Sequence, residues 1–219
     1  MRSFFLALLI SAALVGGAHL FDAWAQVALA DPGLQNKDLG RMFRVMGFYP
    51  LWVLAGVALL LCDRPRDSES HLPRWGARAG SLMLSPALGG GVAEIGKILF
   101  RRLRPGEIPG EYAFRSWAER PFYSGGLGLP SSHALVAFSG AAMLARLFPR
   151  AAPVWYLLAV GCAWTRVAAG AHYLSDVVAA GVLGYGVAWL VDRWLRPGTP
   201  LRQGAEGGGT LRSEARSKA

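Results

Sequence analysis

GARAGSLMLSPALGGGVAEIGKILFRRLRP, residues 76–105, is too long and too apolar for an ordinary surface helix of a water-soluble protein. From Gly76 to Leu103 it exceeds the roughly 20 residues that cross about 30 Å of hydrocarbon. Yet Glu94 and Lys97 lie within the run, where an ionisable group is expensive and is normally paired or functional. The stretch reads as a membrane-spanning helix with chemistry near one end.

Further apolar runs flank it on both sides. They extend from about Phe4 to Ala25, Gly47 to Cys62, Ser131 to Phe148, Val154 to Ala169 and Tyr173 to Leu195. The runs at Gly47, Ser131 and Val154 are somewhat short for a span. The composition agrees, with 53% hydrophobic residues, eight Trp, and short Arg-rich connectors. The expected architecture is all-α: a bundle of six transmembrane helices over residues 1–196. Residues 197–219, rich in Gly, Ser and Arg and lacking an apolar face, read as a disordered cytoplasmic tail. The first run has a second reading, because Met1-Arg2, an apolar core and Ala23-Trp24-Ala25 also suit a cleaved secretory signal. Its apolar stretch is longer than a usual signal core, which favours a retained helix. Cys62 and Cys162 have neither a nearby partner nor metal-ligand spacing, and read as packing residues.

A net charge of +9 and a pI near 10.2 raise the question of nucleic acid. The basic residues are dispersed at segment ends rather than gathered in a stripe, so nucleic acid is not the expected partner. An anionic bilayer surface and an anionic substrate account for the charge better. By the positive-inside rule, Arg2, the connector with Arg64, Arg66, Arg74 and Arg78, Arg146 with Arg150, and the basic tail belong in the cytoplasm. Lys37, Arg41, Arg44, Arg115 and Arg120 fall on the other side, and so do the clusters that follow. A bacterial inner membrane suits this pattern, with those clusters at the periplasmic face.

Three clusters carry the chemistry. In the first, Lys97 is followed after six residues by Arg104-Pro105. Seven helical positions turn through about 700°, so Lys97 and Arg104 share a stripe with Arg101 between them, and Pro105 ends the helix there. A snorkelling basic collar is the plain alternative, but Lys97 lies deeper than a collar needs. Glu94, one turn earlier, is expected to bond Lys97 or another inward cation. Gly89-Gly90-Gly91 suits close helix packing better than phosphate binding. In the second cluster, Pro130-Ser131-Ser132-His133 opens a span, and helix-start N–H groups favour an anion. Capping alone explains the serines, though not His133. In the third, Thr165-Arg166 precedes His172 and Asp176, which are four apart and share one helical face. An Asp placed there accepts one ring N–H and leaves the other nitrogen free to attack.

Phosphoryl transfer needs positive charge around three equatorial oxygens, an in-line nucleophile and an acid for the leaving oxygen. Lys97, Arg104 and Arg166 supply charge, with Ser131, Ser132 and helix-start N–H groups as donors. His172 is the candidate nucleophile, Asp176 its orienting partner and His133 the acid. Glu94 and Arg101 are supporting residues. The sequence offers no carboxylate cluster for magnesium, so no metal or cofactor is expected.

These clusters resemble the type 2 phosphatidic acid phosphatase family of integral membrane lipid phosphatases. Its pattern is Lys, six residues, Arg-Pro; then Pro-Ser-Gly-His; then Ser-Arg, five residues, His, three residues, Asp. Lys97, Arg104 and Pro105 fit the first motif; Pro130, Ser131 and His133 the second; Arg166, His172 and Asp176 the third. Ser132 replaces the usual Gly and Thr165 the usual Ser, and neither change removes a charge or a histidine. The resemblance implies six membrane helices, an outer-face site, a metal-free reaction and a phosphohistidine on His172 that water releases. Undecaprenyl pyrophosphate, phosphatidic acid, phosphatidylglycerol phosphate and lipid A all stay open as substrates. Between Gly106 and Leu129, Tyr112, Phe114, Trp117, Phe122 and Tyr123 either anchor that loop in the interface or grip a headgroup. A lipid phosphotransferase, a non-catalytic binder of anionic lipid and a vanadium-dependent haloperoxidase are the competing classes. The last are soluble and larger, which the apolar runs oppose.

Overall fold

The computed structural model describes residues 2–63, 76–106 and 110–195. The expected tail at 197–219 lies outside the described residues, as do Arg64, Arg66 and Arg74 of the cation count. Helix α1 (Arg2–Leu20) is followed across a non-helical Phe21 by α2 (Asp22–Ala28). Helix α3 (Asp38–Arg44) leads through a 3-10 turn (Val45–Gly47) and an extended Phe48 into α4 (Tyr49–Cys62), whose first turn holds Pro50. Four longer helices follow: α5 (Ala77–Phe100), α6 (Ser132–Leu147), α7 (Ala152–Ala168) and α8 (Leu174–Leu195). Among the described residues there is no strand, only isolated antiparallel bridges pairing Arg102 with Phe114 and Leu103 with Leu127.

The all-α expectation holds, whereas the six single spans do not all appear. Among the described residues, only α5 and α8 are individually long and apolar enough to cross a membrane. The first two expected spans are bent pairs that pass the same test only together. α1 and α2 meet at 55°, and the α3 segment meets α4 at 72°. The second break agrees with the sequence, since Pro50 has no N–H to give the Met46 carbonyl four residues back, so the helical ladder cannot run on from the 3-10 turn into α4. α6 and α7, at 16 and 17 residues, are shorter than a usual span. The described chain thus provides two spans, or up to four if each bent pair counts as one.

α6 forms the core. Ala134, Leu135, Val136, Ala137, Ser139, Gly140, Ala141, Ala142 and Met143 are all buried, and α5, α7 and α8 pack around them. Small residues make the approach close, as elsewhere among membrane helices. A Cβ on Gly184 of α8 would lie 2.9 Å from Phe138 Cβ and Ser139 N, and one on Gly89 of α5 would lie 2.5 Å from Ser139 Oγ. Gly91, by contrast, has nothing within 4 Å, so only part of the glycine triplet serves packing. Trp52 docks α4 onto the same core, its Nε1–H donating to Met46 O at 2.9 Å.

Facing away from this core are large exposed apolar side chains: Ile95 and Leu99 on α5, Leu157 and Val160 on α7, Leu190 and Trp194 on α8. Exposed apolar area costs about 25 cal/mol per Å² in water and nothing comparable in hydrocarbon. These helices carry the surface of a membrane protein. Their up-and-down order brings the end of α5, the start of α6, the end of α7 and the start of α8 to one end of the bundle, where all three sequence clusters meet.

Candidate active site

α5 stops a turn earlier than the sequence suggests, and the expected stripe of Lys97, Arg101 and Arg104 does not form. Arg101 caps the helix in the left-handed region at φ 55°. A bulky residue there costs of order 1–3 kcal/mol and persists only when its surroundings demand it. The demand comes from the guanidinium, which is buried and donates to the carbonyls of Arg115 (3.0 Å), Ser116 (2.6 Å), Glu119 (2.6 Å) and Pro121 (3.1 Å). Arg101 therefore shapes the following loop rather than facing the site. Beyond it the chain runs extended, with Arg104 N–H donating to Gly126 O at 3.1 Å.

Lys97, 7% exposed, meets Glu94 as expected, with Nζ 2.7 Å from Oε1. Glu94 itself is half exposed rather than buried. Ser132 completes a triangle, accepting from Lys97 and donating to Glu94 Oε1 at 2.8 Å. The hydroxyl that stands where the resemblance has glycine thus holds the lysine. Ser131 Oγ is buried without a hydrogen-bond partner among the described residues, and Arg166 Nε is in the same state. Leaving such groups unpaired costs about 1–3 kcal/mol each. The fold tolerates two of them among the candidate site residues.

His172 is buried in the turn between α7 and α8. Its Nδ1 lies 3.0 Å from the Gly128 carbonyl and 3.5 Å from Asp176 Oδ2. Both partners only accept, so Nδ1 carries the hydrogen and Nε2 keeps its lone pair. Burial pushes the His172 pKa down, the Asp176 contact opposes this, and the charges of Arg166 and Arg104 add to the lowering. The net direction keeps the ring neutral at pH 7, the form in which Nε2 can attack. Asp176 is held in turn by Tyr173 N–H at 2.9 Å and by Arg102.

The remaining expected residues converge on the same place. His133 is within electrostatic reach of Arg166, His172, Lys97 and Arg44. Arg166 feels Arg104 and Arg44, and Ser131 N–H reaches the Asp176 carbonyl at 3.3 Å. Thr165 does not join them, since its hydroxyl donates to Cys162 O at 2.7 Å. Among the described residues no group of three His, Cys, Asp or Glu side chains gathers as a metal site.

Sequence reasoning missed several contributors. Arg102, adjacent to Arg101, is buried and donates to Asp176 and to Ser175 Oγ, the latter at 2.9 Å. Arg44 stands exposed beside His133 and Arg166. Gly128 presents the carbonyl to His172, and a Cβ there would lie 3.0 Å from Asp176 Oδ2. Asp22, fully buried, accepts from Ser175. Only Asp22 was signalled: it is an acid inside an apolar run, the same cue that marked Glu94.

The PAP2 superfamily model matches residues 78–199, which takes in α5 through α8 and every cluster above. The lipid A 1-phosphatase of Rhizobium johnstonii is 32% identical over 135 residues, covering 62% of this chain and 52% of the relative. The chain thus spans about half the length of that curated relative. No solved structure matches it.

Proposed function

The chain belongs to the PAP2 superfamily, and from that premise we propose that it is a lipid phosphatase working at the outer face of a bacterial inner membrane. It hydrolyses a lipid phosphate or diphosphate through a phosphohistidine on His172, without a metal. The observation that carries this reading is the buried His172 ring, its Nδ1 facing Gly128 O at 3.0 Å and Asp176 Oδ2 at 3.5 Å, with Lys97, Arg104 and Arg166 gathered around His133 and His172.

His172 Nε2 attacks phosphorus in line, the bond from phosphorus to the lipid oxygen breaks, and His133 protonates the departing oxygen. The cations, Ser131 Oγ and the N–H groups opening α6 neutralise the equatorial oxygens. A bound phosphate brings the negative charge that lets His133 hold its proton among so many cations. Water then attacks the phosphohistidine, giving its proton to His133 and releasing inorganic phosphate. In this reading α5 to α8 and the two bent pairs make six crossings with Arg2 inside. The N–H groups at the start of α6 and the loop aromatics then lie in the outer interface.

Phosphate release by purified protein in detergent, with EDTA present, tests the reading. The panel is undecaprenyl pyrophosphate, phosphatidic acid, phosphatidylglycerol phosphate and lipid A, the last made pertinent by the similar Rhizobium protein. Release that vanishes in His172→Ala supports it. Folded protein that releases nothing from any of the four, or a strict magnesium requirement, would refute it.

A further inference from the structure

Asp22 opens α2, more than 70 positions before the first cluster, yet it is 0% exposed. A buried carboxylate is stable only when its oxygens are satisfied, and here both are. Oδ1 accepts the Ser175 N–H at 2.7 Å. Oδ2 accepts the Ser175 hydroxyl at 2.5 Å and the Tyr112 phenol at 2.8 Å, with His19 Nδ1 at 3.3 Å. Burial, and then the bond to Asp22, push the Tyr112 pKa up to about 12, so the phenol stays a donor.

The direction of these bonds matters. The Ser175 hydroxyl spends its one hydrogen on Asp22, so its lone pairs are left to accept. Arg102 Nη2 uses one of them at 2.9 Å and also bonds Asp176 Oδ1. The rings of Tyr112 and Tyr173 flank the guanidinium at 5.2 Å and 4.8 Å, limiting where it can go. Asp176 Oδ2, on the far side of that carboxylate, faces His172 Nδ1 at 3.5 Å. A line of contacts runs from Asp22 through Ser175, Arg102 and Asp176 to His172.

We propose that Asp22 is a positioning residue for His172: it orients the Ser175 hydroxyl so that Arg102 stays on Asp176 and Asp176 stays at His172 Nδ1. The inference rests on His172 being the nucleophile of the proposed reaction. Capping of α8 by Asp22 accounts for the Oδ1 bond alone. It leaves the second oxygen unexplained, and that oxygen takes the hydroxyl shared with Arg102.

The charges decide which way a variant moves. Facing His172 are Asp176 from α8, Arg166 from α7, Arg104 after α5 and His133 from α6. Facing Asp22 are His19 from α1 and Tyr112 from the loop, with Tyr173 also within its field. Without the Ser175 hydroxyl held by Asp22, Arg102 loses the second contact that fixes it against Asp176, Asp176 drifts from His172 Nδ1, and it draws the His172 proton less strongly. His172 then becomes a weaker base, so the acid limb of kcat/KM moves to lower pH while kcat falls.

The test measures phosphate release from the same four lipids by the full chain in detergent. Wild type, Asp22→Asn and Ser175→Ala are compared across pH, per folded molecule, using the lipid that wild type cleaves fastest. Both variants are expected to lose about tenfold or more in kcat, as a misoriented catalytic group does, with KM nearly constant and the acid limb displaced downward. An acid limb that stays in place in the folded variants overturns the inference, whether or not kcat falls, because a purely structural residue would leave the profile unmoved. Should Asp22→Asn not fold, Ser175→Ala decides alone, since it keeps the backbone bond to Asp22 and removes only the hydroxyl. Wild type without release, or an active His172→Ala, overturns the hydrolase reading and this inference with it, a pattern distinct from failure of Asp22 alone.

Discussion

The two ends of the helix bundle treat charge in opposite ways. At the end away from the clusters, cations and carboxylates pair off. Arg78 Nη1 lies 2.9 Å from Asp63 Oδ1, and Arg146 Nε lies 3.5 Å from Asp192 Oδ2. Arg78 and Arg146 also lie over the Phe148 and Tyr185 rings. At the cluster end, Lys97, Arg101, Arg102 and Arg166 are buried, Arg104 and Arg44 stand close by, and Glu94, Asp176 and Asp22 are too few to balance them. Uncompensated buried charge costs several kcal/mol per ion. One end has charges that pair off for the fold; at the other Lys97 and Arg102 have carboxylate partners, and the remaining cations are those that the lipid phosphate balances in the proposed reaction.

That contrast can be broken experimentally. The largest expected effect is at the histidines: His172→Ala and His133→Ala should each lower phosphate release by more than about 10³-fold while the protein still inserts and folds. If either retains near-normal turnover, its assigned role is wrong. Removing a cation at the cluster end comes next. Lys97→Ala and Arg166→Ala should cost about 10²- to 10³-fold in kcat/KM, the usual scale for losing one preorganised charge at a transition state.

A subtler lesion sharpens the comparison further. In Gly128→Ala the new methyl would press on Asp176 from 3.0 Å, and turnover should fall about tenfold with the fold retained. The pH profile adds a signed expectation. His172 must be neutral to attack and its pKa is held below the ordinary value of 6.5, so activity should persist below pH 6.5 before its acid limb appears. A limb above that value would contradict the burial argument. The smallest effect belongs to the paired end. Arg146→Ala and Arg78→Ala should change turnover less than about twofold and thermal stability by only about 0–1 kcal/mol, since partly exposed pairs contribute little.

The same contrast explains what could be read from the chain. Lys97, His133, Arg166 and Asp176 stood out because each places polarity where a membrane helix should have none, at a spacing that chemistry requires. His172 stood out by the same spacing, although it lies in the turn before α8 and not on a helical face shared with Asp176. The ends of α6, α7 and α8 were legible within a residue or two, because apolar runs and helix-start residues agree there. Arg104 was located in the right neighbourhood for the wrong reason. Helical arithmetic was carried past Phe100, and nothing local announces that Arg101 leaves the helix to collect carbonyls from Arg115 to Pro121. Gly128 and Ser175 were silent because their contributions are a carbonyl and a hydroxyl placed by tertiary contacts. The two bent pairs looked like plain spans since hydropathy averages over a break, although Asp22 and Pro50 mark where each pair resumes its helix.

The clasp at Arg101 has a further consequence. What it grips is main chain, which every amino acid supplies alike. Trp117 alone adds its side chain to the grip, its ring 4.9 Å from the guanidinium, whereas Phe114 and Phe122, projecting at 64% and 86% exposure, are uncoupled from the mould that holds the segment. At those positions the segment can be re-dressed without being reshaped, in natural divergence or in a designed library, while the residues of the candidate site beneath it stay untouched.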